Sequence, residues 1–466
     1  MTHRKLFVVR LVVVAVLSAF SAMACFADSQ VRIVRLSSLD GDVRIDRNVG
    51  AGFEKAFLNL PITQGVIIKT GSDGRAEVEF EDGSTLRIAP ESVVEFPNLA
   101  LRDSGAKSSS IKLQQGTAYI DYRGTKDDEF ALNFGHETVA LKDPVRFRIQ
   151  MNDTDATLAV FKGKVNIEGA SGNAEVGKNQ SATFDLANHD QYEIAKEIEE
   201  QPFDTWDKEQ GKYHDTYLSK NYSDYSSNAY GVSDLNYYGS FFNAPGYGRL
   251  WQPYFVSAGW DPFLDGAWAW YPGYGYTWVS AYPWGWTPYH CGSWLFQQSF
   301  GWAWQPGGCG SSWVGFPTVV NAPQRFRAPQ PPVGGPGRFT IVTNPRPVVS
   351  AIREPGNKML IRNDSAGLGI PRGSVRNIPR LSNQVRQSGS ATASFRAAPT
   401  TMPTMRPPGM SGSAVSNPRP TQNRSTGVPA SRAPSAPNSR APSMSSPRPT
   451  GPPRTSAPAP RSASPR

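Results

Sequence analysis

Between Val31 and Asp185, apolar residues recur at every second position in short runs and never at helical spacing, and this period limits the region to strands. Ala76, Val78 and Phe80 alternate with Glu77, Glu79 and Glu81, and beyond an Asp82-Gly83-Ser84 break Leu86 and Ile88 flank Arg87. A two-residue turn at Asp82-Gly83 would set Glu79 opposite Leu86, placing charge on the apolar face. An odd loop of three residues, or a bulge, is therefore expected, pairing Phe80 with Leu86 and Val78 with Ile88. Further strands are expected at Ile111 to Leu113, Ala118 to Tyr122, Thr138 to Leu141, Arg146 to Met151, Thr157 to Phe161 and Lys164 to Glu168, punctuated by Gly116, Gly163 and Gly177. The chain is thus read as mainly β, with residues 31–185 an all-β sandwich, roll or short β-solenoid closed without disulfides.

Charge shows that the remainder is not one globule. Residues 322–466 hold 21 lysines and arginines against two acids, Glu354 and Asp364, a net +19; the whole chain is +9, so residues 1–321 carry −10. All twelve tryptophans lie between Trp206 and Trp313, whereas 27 of the 40 prolines fall in the last 145 residues. The positive charge therefore belongs to a tail and not to a nucleic-acid-binding domain.

At the start, His3, Arg4, Lys5 and Arg10 precede an apolar run from Leu11 to Phe20 and then small residues at Ser21, Ala22, Ala24 and Ala27. Residues 1–27 read as a signal peptide, cleaved after Ala24 or Ala27, because the run is too short for a comfortable membrane span. A lipoprotein with Cys25 acylated needs an aliphatic residue where Ala22 stands, so plain secretion ranks above lipidation and above an uncleaved signal anchor. The expected location is the periplasm or cell envelope, with no stable transmembrane span in the mature chain.

Residues 186–236 form a connector. Phe203, Trp206, Gln210, Tyr213 and Tyr217 recur at three- and four-residue intervals, so a helix is expected over 202–219 that packs Trp206 on the β-domain. Residues 237–317 then contain an internal repeat. Gly239, Gly266 and Gly292 are each followed twelve residues later by Trp251, Trp278 and Trp304, and next by Trp260, Trp286 and Trp313. Between each glycine and its tryptophan lies a turn, so three β-hairpins are expected, stacked so that these six tryptophans form the repeat core.

The repeat also gives the cysteines a geometry. If the third hairpin turns about Phe300, Cys291 and Cys309 are each nine residues away and face one another as a candidate disulfide. Such a bond is expected to stabilise by roughly 3 kcal/mol. The aromatics are read first as core, since a small hairpin array has few aliphatic residues. A lesser alternative is a carbohydrate-binding platform made of Tyr247, Tyr274, Tyr276 and Trp284, which lie in or beside turns.

Catalytic signals are missing from the sequence: no Gly-x-Ser-x-Gly, phosphate loop, Cys-x-x-Cys or His-Glu-x-x-His occurs, and the histidines are isolated. No enzyme activity, cofactor or metal is expected. Residues 318–466 read as a basic Pro/Ser/Arg-rich disordered tail, with an ordered island near 338–380 and nothing ordered beyond Ser388. The tail suits an anionic cell-wall or surface polymer, and nucleic acid is not an expected partner behind a secretion signal. Removing everything after Asn321 is expected to leave both folded domains intact.

The order Gly41-Asp42-Val43, Thr70-Gly71-Ser72-Asp73-Gly74-Arg75-Ala76, Asp82-Gly83-Ser84 and Val160-Phe161-Lys162-Gly163-Lys164-Val165 resembles the FecR-type periplasmic domain. Family members that regulate iron uptake carry it behind a cytoplasmic anti-sigma region and one transmembrane helix. Only ten residues precede the apolar run here, and Asp143-Pro144-Val145-Arg146-Phe147 departs from the family's usual Gly-Thr before the aromatic, so the resemblance implies the fold and not the sigma-factor mechanism in cis. From Tyr237 to Gly307 the chain resembles an aromatic-rich envelope domain of unknown function, departing from it at Cys291 and Ser293. The reading is a non-catalytic envelope scaffold binding a protein or cell-wall glycan, or alternatively a sensory, regulatory component acting through a membrane partner.

Overall fold

The alternating segments form strands whose apolar sides meet across one core, in a computed structural model that describes residues 32–125, 127–169, 172–218, 222–224, 226, 228–309, 313–333, 352–354 and 357–395. Residues 1–31, where a signal peptide is expected, and the chain from residue 396 onward lie outside these described residues. The first domain has two sheets, both almost wholly antiparallel. One contains Val34–Asp40, Arg75–Glu79, Thr85–Ile88, Val145–Met151, Asp155–Lys162, Gln180–Asp185 and Gln191–Ala195; the other contains Val43–Asp46, Ile67–Thr70, Val93–Leu101, Glu129–Phe134, Glu137–Leu141, Lys164–Gly169 and Gly172–Gly177. Between them Val34, Ile68, Phe80, Ile120, Phe147 and Leu158 are buried together.

One long strand, Lys107–Tyr122, belongs to both sheets, with its first half beside Val93–Leu101 and its second beside Val145–Met151. Gly116 lets it switch. Its φ is +89°, and a Cβ there would fall 2.3 Å from Ser92 Oγ and 2.6 Å from the Glu91 carbonyl. The hairpin at Asp82-Gly83 keeps the expected face but differs in register: Val78 pairs with Leu86 and Ala76 with Ile88. The loop has the expected three residues, Glu81-Asp82-Gly83, with Asp82 accepting from the Ser84 amide and hydroxyl. That length sets Phe80 opposite Ser84, whose carbonyl its amide meets at 2.9 Å, where Phe80 opposite Leu86 would take five.

The connector helix α1 spans Asp204–Tyr217. Trp206 packs beside Ala89 and Tyr119, but the buried face also includes Asp207, Gly211 and His214, whereas Phe203, Gln210 and Tyr217 are half-buried. The face is rotated toward polar residues because charged groups of the first sheet await them. A short helix α2, Val232–Tyr238, follows and ends at the repeat. Among the described residues no helix is long and apolar enough to cross a membrane.

Three hairpins form at Gly239–Ala244/Gly248–Pro253, Gly266–Tyr271/Gly275–Ser280 and Cys291–Gln297/Gly301–Cys309, the last after a helical turn α3 at Thr287–His290. They are not stacked in series. The first and third share one sheet through Trp251 and Trp304, while the second stands apart and sends Ala269, Tyr271 and Val279 into the core of the first domain. The third hairpin centres on Ser299 and not Phe300, with Trp294 opposite Trp304, and a bulge then brings Cys291 opposite Cys309. The extra residues of that bulge are at Pro306 to Gly308, and Gly292 faces them at φ +62°, where a Cβ would lie 2.2 Å from the Gln305 carbonyl. The two cysteines are bonded.

The tail reading needs the largest correction. Lys358–Arg362 pairs with Ile352–Glu354 and Ser390–Ser394, and helix α4, Ile378–Ser388, runs between them. Order thus continues past Ser388, while Gly367 to Pro371 forms turns and not a strand. Met359, Ile361, Leu368, Ile370 and Val385 are buried with the tryptophans of the repeat, so these few aliphatic residues complete a core that the hairpins leave open.

Candidate binding groove

The Glu face of strand Arg75–Glu79 points into a seam with α1, α2 and the C-terminal segment. Glu77 accepts from Arg87 Nε at 2.8 Å, lies 2.9 Å from His214 Nε2, and accepts from Arg372 Nη1 at 2.6 Å. Asp234 pairs with Arg35 and with Arg372, both at 2.6 Å, and accepts from Tyr213 at 2.8 Å. Glu79 takes Arg35 at 3.1 Å, and Asp207 takes Arg87 and Arg146 at 2.6 Å. Burial alone would raise Glu77, but His214 and Arg87 beside it hold its carboxyl well below the usual range. Burial also opposes ionisation of Asp234, and Arg372 and Arg35 outweigh it, lowering that carboxyl too.

Such a network contributes little net stability relative to an apolar seam, yet each lost partner leaves a buried charge, so it fixes which surfaces meet. Arg372 joins the C-terminal segment to the first domain and α2 at once. Arg35 also donates to the Pro283 carbonyl at 2.7 Å, tying the first domain to the repeat.

A groove of about 660 Å³ opens where the tip of the second hairpin meets the first domain. One wall holds Asn48, Thr63 and Gln64, a second is the turn from Leu101 to Gly105, and the third is Tyr271, Pro272 and Tyr274. Its floor includes Leu99 and Arg47. Arg47 is buried, paired with Glu54 at 2.7 Å, donates to the Trp270 carbonyl at 2.6 Å, and sits 5.0 Å from the Tyr271 ring centroid. Tyr271 donates to the Pro61 carbonyl at 2.7 Å, so the hairpin tip is anchored by polar contacts as well as packing. Tyr274 is half-buried with its ring 5.5 Å from that of Trp313.

Residues 66–166 match the FecR protein family, and residues 232–327 match a family of unknown function, DUF6600. The chain carries a FecR domain followed by a domain of unknown function. Two crystal structures of a protein described as an anti-sigma factor of Parabacteroides distasonis are similar at 15% identity over 28% of this chain, with a TM-score of 0.25. The chain spans 59% of that protein's length. No curated protein matches it.

The FecR motif residues prove to be structural: Thr70 Oγ1 donates to the Ala89 carbonyl and accepts from the Ser92 amide, and Arg75 pairs with Asp40. The four aromatic residues expected as a platform do not form one. Trp284 is fully buried at the centre of the aromatic core, 5.0 Å from a stacked Tyr282 and 4.9 Å from Trp251, with its indole donating to the Ala366 carbonyl at 2.7 Å. The C-terminal segment supplies that carbonyl, and a position beside a turn does not reveal such a cover. Tyr247, at the first hairpin tip, bonds Gln297 and accepts from Gln305 through its carbonyl, and Tyr276 packs on the core. Only Tyr274 reaches the groove. Of the repeat core, Trp251, Trp260, Trp278, Trp286 and Trp304 are buried, while Trp313 is half-buried beside Tyr271 and Tyr274.

Sequence reasoning missed Asn48, Gln64 and Arg47, which come together only through the fold. It also missed the seam, although Asp207 and His214, seven residues apart on one helix, were a readable sign that a polar face is buried.

Proposed function

We propose that this chain is a non-catalytic binding protein of the cell envelope with a regulatory role, and that the groove between the FecR domain and the second hairpin receives its ligand or partner. The supporting observation is that the groove has walls from both domains, fixed by Arg47, Tyr271 and Arg35. The FecR match favours regulation over catalysis, and the leader-like residues 1–27 favour the envelope. A recognition site made from two domains and held by buried contacts is preorganised, which reduces the ordering cost of binding.

Gln64→Trp tests this reading, because Gln64 is an exposed wall residue and the larger ring would fill the groove without entering the core. Co-sedimentation of the full mature chain with isolated cell envelopes is expected to fall sharply at an unchanged urea midpoint. Unchanged co-sedimentation of the folded variant would overturn the proposal.

A further inference from the structure

The groove's chemistry points to a ligand class. We infer that it takes a short neutral oligosaccharide, an inference that rests on the groove being the binding site. Three observations converge. First, the volume of about 660 Å³ lies within the roughly 300–1,000 Å³ usual for small-molecule sites.

Second, the lining offers uncharged hydrogen-bonding groups. Among the described residues, the side-chain amides of Asn48 and Gln64 and the Thr63 hydroxyl make no hydrogen bond within the protein, and Asn48 and Gln64 are exposed. An amide both donates and accepts, as a sugar hydroxyl does. The groove carries no excess of positive charge to attract an anion: Arg47 is paired with Glu54, Arg102 with Glu129, and Asp103 adds a carboxylate to the lining.

Third, the lining also carries Tyr274, a half-buried ring packed against Trp313. Aromatic rings combine an apolar face with low ordering cost, which suits the C–H face of a pyranose. Tyr247 supplies an internal control: it occupies the same place in the first hairpin, with the same Pro-Gly-Tyr-Gly turn, but lies outside the groove.

The test is titration of the full mature chain with chitotriose, cellotriose and maltotriose, followed by intrinsic fluorescence and calorimetry, with a polygalacturonate trimer as the anionic comparison. Saturable binding of at least one neutral trisaccharide is expected, weakened at least tenfold by Tyr274→Ala and by Asn48→Ala and unchanged by Tyr247→Ala. Each variant should unfold in one cooperative urea transition and be fully folded under the titration conditions, with Tyr247→Ala and Tyr274→Ala losing similar packing, which separates lost ligand contacts from lost folding. No saturable binding of any neutral trisaccharide, tighter binding of the anionic trimer, or equal loss in Tyr247→Ala and Tyr274→Ala would overturn the inference. If no trisaccharide binds while Gln64→Trp still releases the chain from envelopes, the ligand class is wrong and the groove stands. If Gln64→Trp also has no effect, both fail.

Discussion

Arg372 lies in a stretch whose composition reads as tail, yet it is buried against Glu77 and Asp234, so Arg372→Met asks whether the C-terminal segment is part of the folded body. Methionine keeps most of the aliphatic volume and removes the charge. Glu77 would retain Arg87 and His214, and Asp234 would retain Arg35 and Tyr213, so neither acid is left wholly unpaired. Removing one partner of a buried pair costs about 3–5 kcal/mol, and the remaining partners place the expected loss at the lower end, about 3 kcal/mol. Urea unfolding followed by tryptophan fluorescence reads this directly. Trypsin supplies the local readout, since Arg362, Arg376 and Arg380 should become cleavable as the segment opens. The double variant Asp234→Asn/Arg372→Met should lose less than the sum of the two single changes, because removing the acid relieves the uncompensated charge. An Arg372→Met midpoint shift worth under about 0.5 kcal/mol, typical of surface positions, with unchanged trypsin resistance would refute the argument.

Truncation after Asn321 is expected to destabilise the aromatic domain and cause aggregation, because it removes the Met359, Ile361 and Leu368 cover and the Ala366 carbonyl bonded to Trp284; size-exclusion chromatography checks this against a chain ending at Phe395. Reducing Cys291–Cys309, which spans 18 residues, should lower stability by roughly 3 kcal/mol, read from urea midpoints with and without reductant, and non-reducing peptide mapping should recover the linked pair. Burial and nearby Arg35 push His290 down to about 4 from 6.5, so the unfolded chain takes up the proton first; full stability is present above pH 6.5 and declines toward pH 4, and His290→Asn should flatten that window. Further loss below about pH 4.5, as Glu77 and Asp234 are forced to protonate, should persist in that variant, since their folded-state values are lowered and their contribution disappears only as pH falls through them.

Much of the local structure was readable because it is set by local chemistry. Alternation at Ala76–Phe80 and the Pro-Gly-Tyr-Gly turns specify strands and hairpins without reference to distant residues. Register was less so: the three-residue loop at Asp82 sets Val78 and not Phe80 opposite Leu86, and extra residues at Pro306 to Gly308 shift the pairing at the base of the third hairpin, which periodicity does not encode. The face of α1 was misread because apolar spacing cannot find a buried Asp207 or His214 whose partners lie over a hundred positions away in sequence. The segment 352–395 escaped for a related reason: its apolar residues are sparse, and their burial depends on tryptophans supplied by another region. The groove could not be read at all, since Asn48, Leu101 and Tyr274 are neighbours only after both domains have folded and docked.

The most direct test of the central claim, that function resides in this interdomain groove, is photocrosslinking in intact cells from a benzophenone residue placed at position 64, compared with position 192 in the exposed edge strand Gln191–Ala195. The expected result is an envelope-derived adduct from position 64, lost when Tyr274 is changed to alanine, with no matching adduct from position 192. Equal yields from the two positions, or no adduct from position 64 in a correctly localised chain, would contradict it.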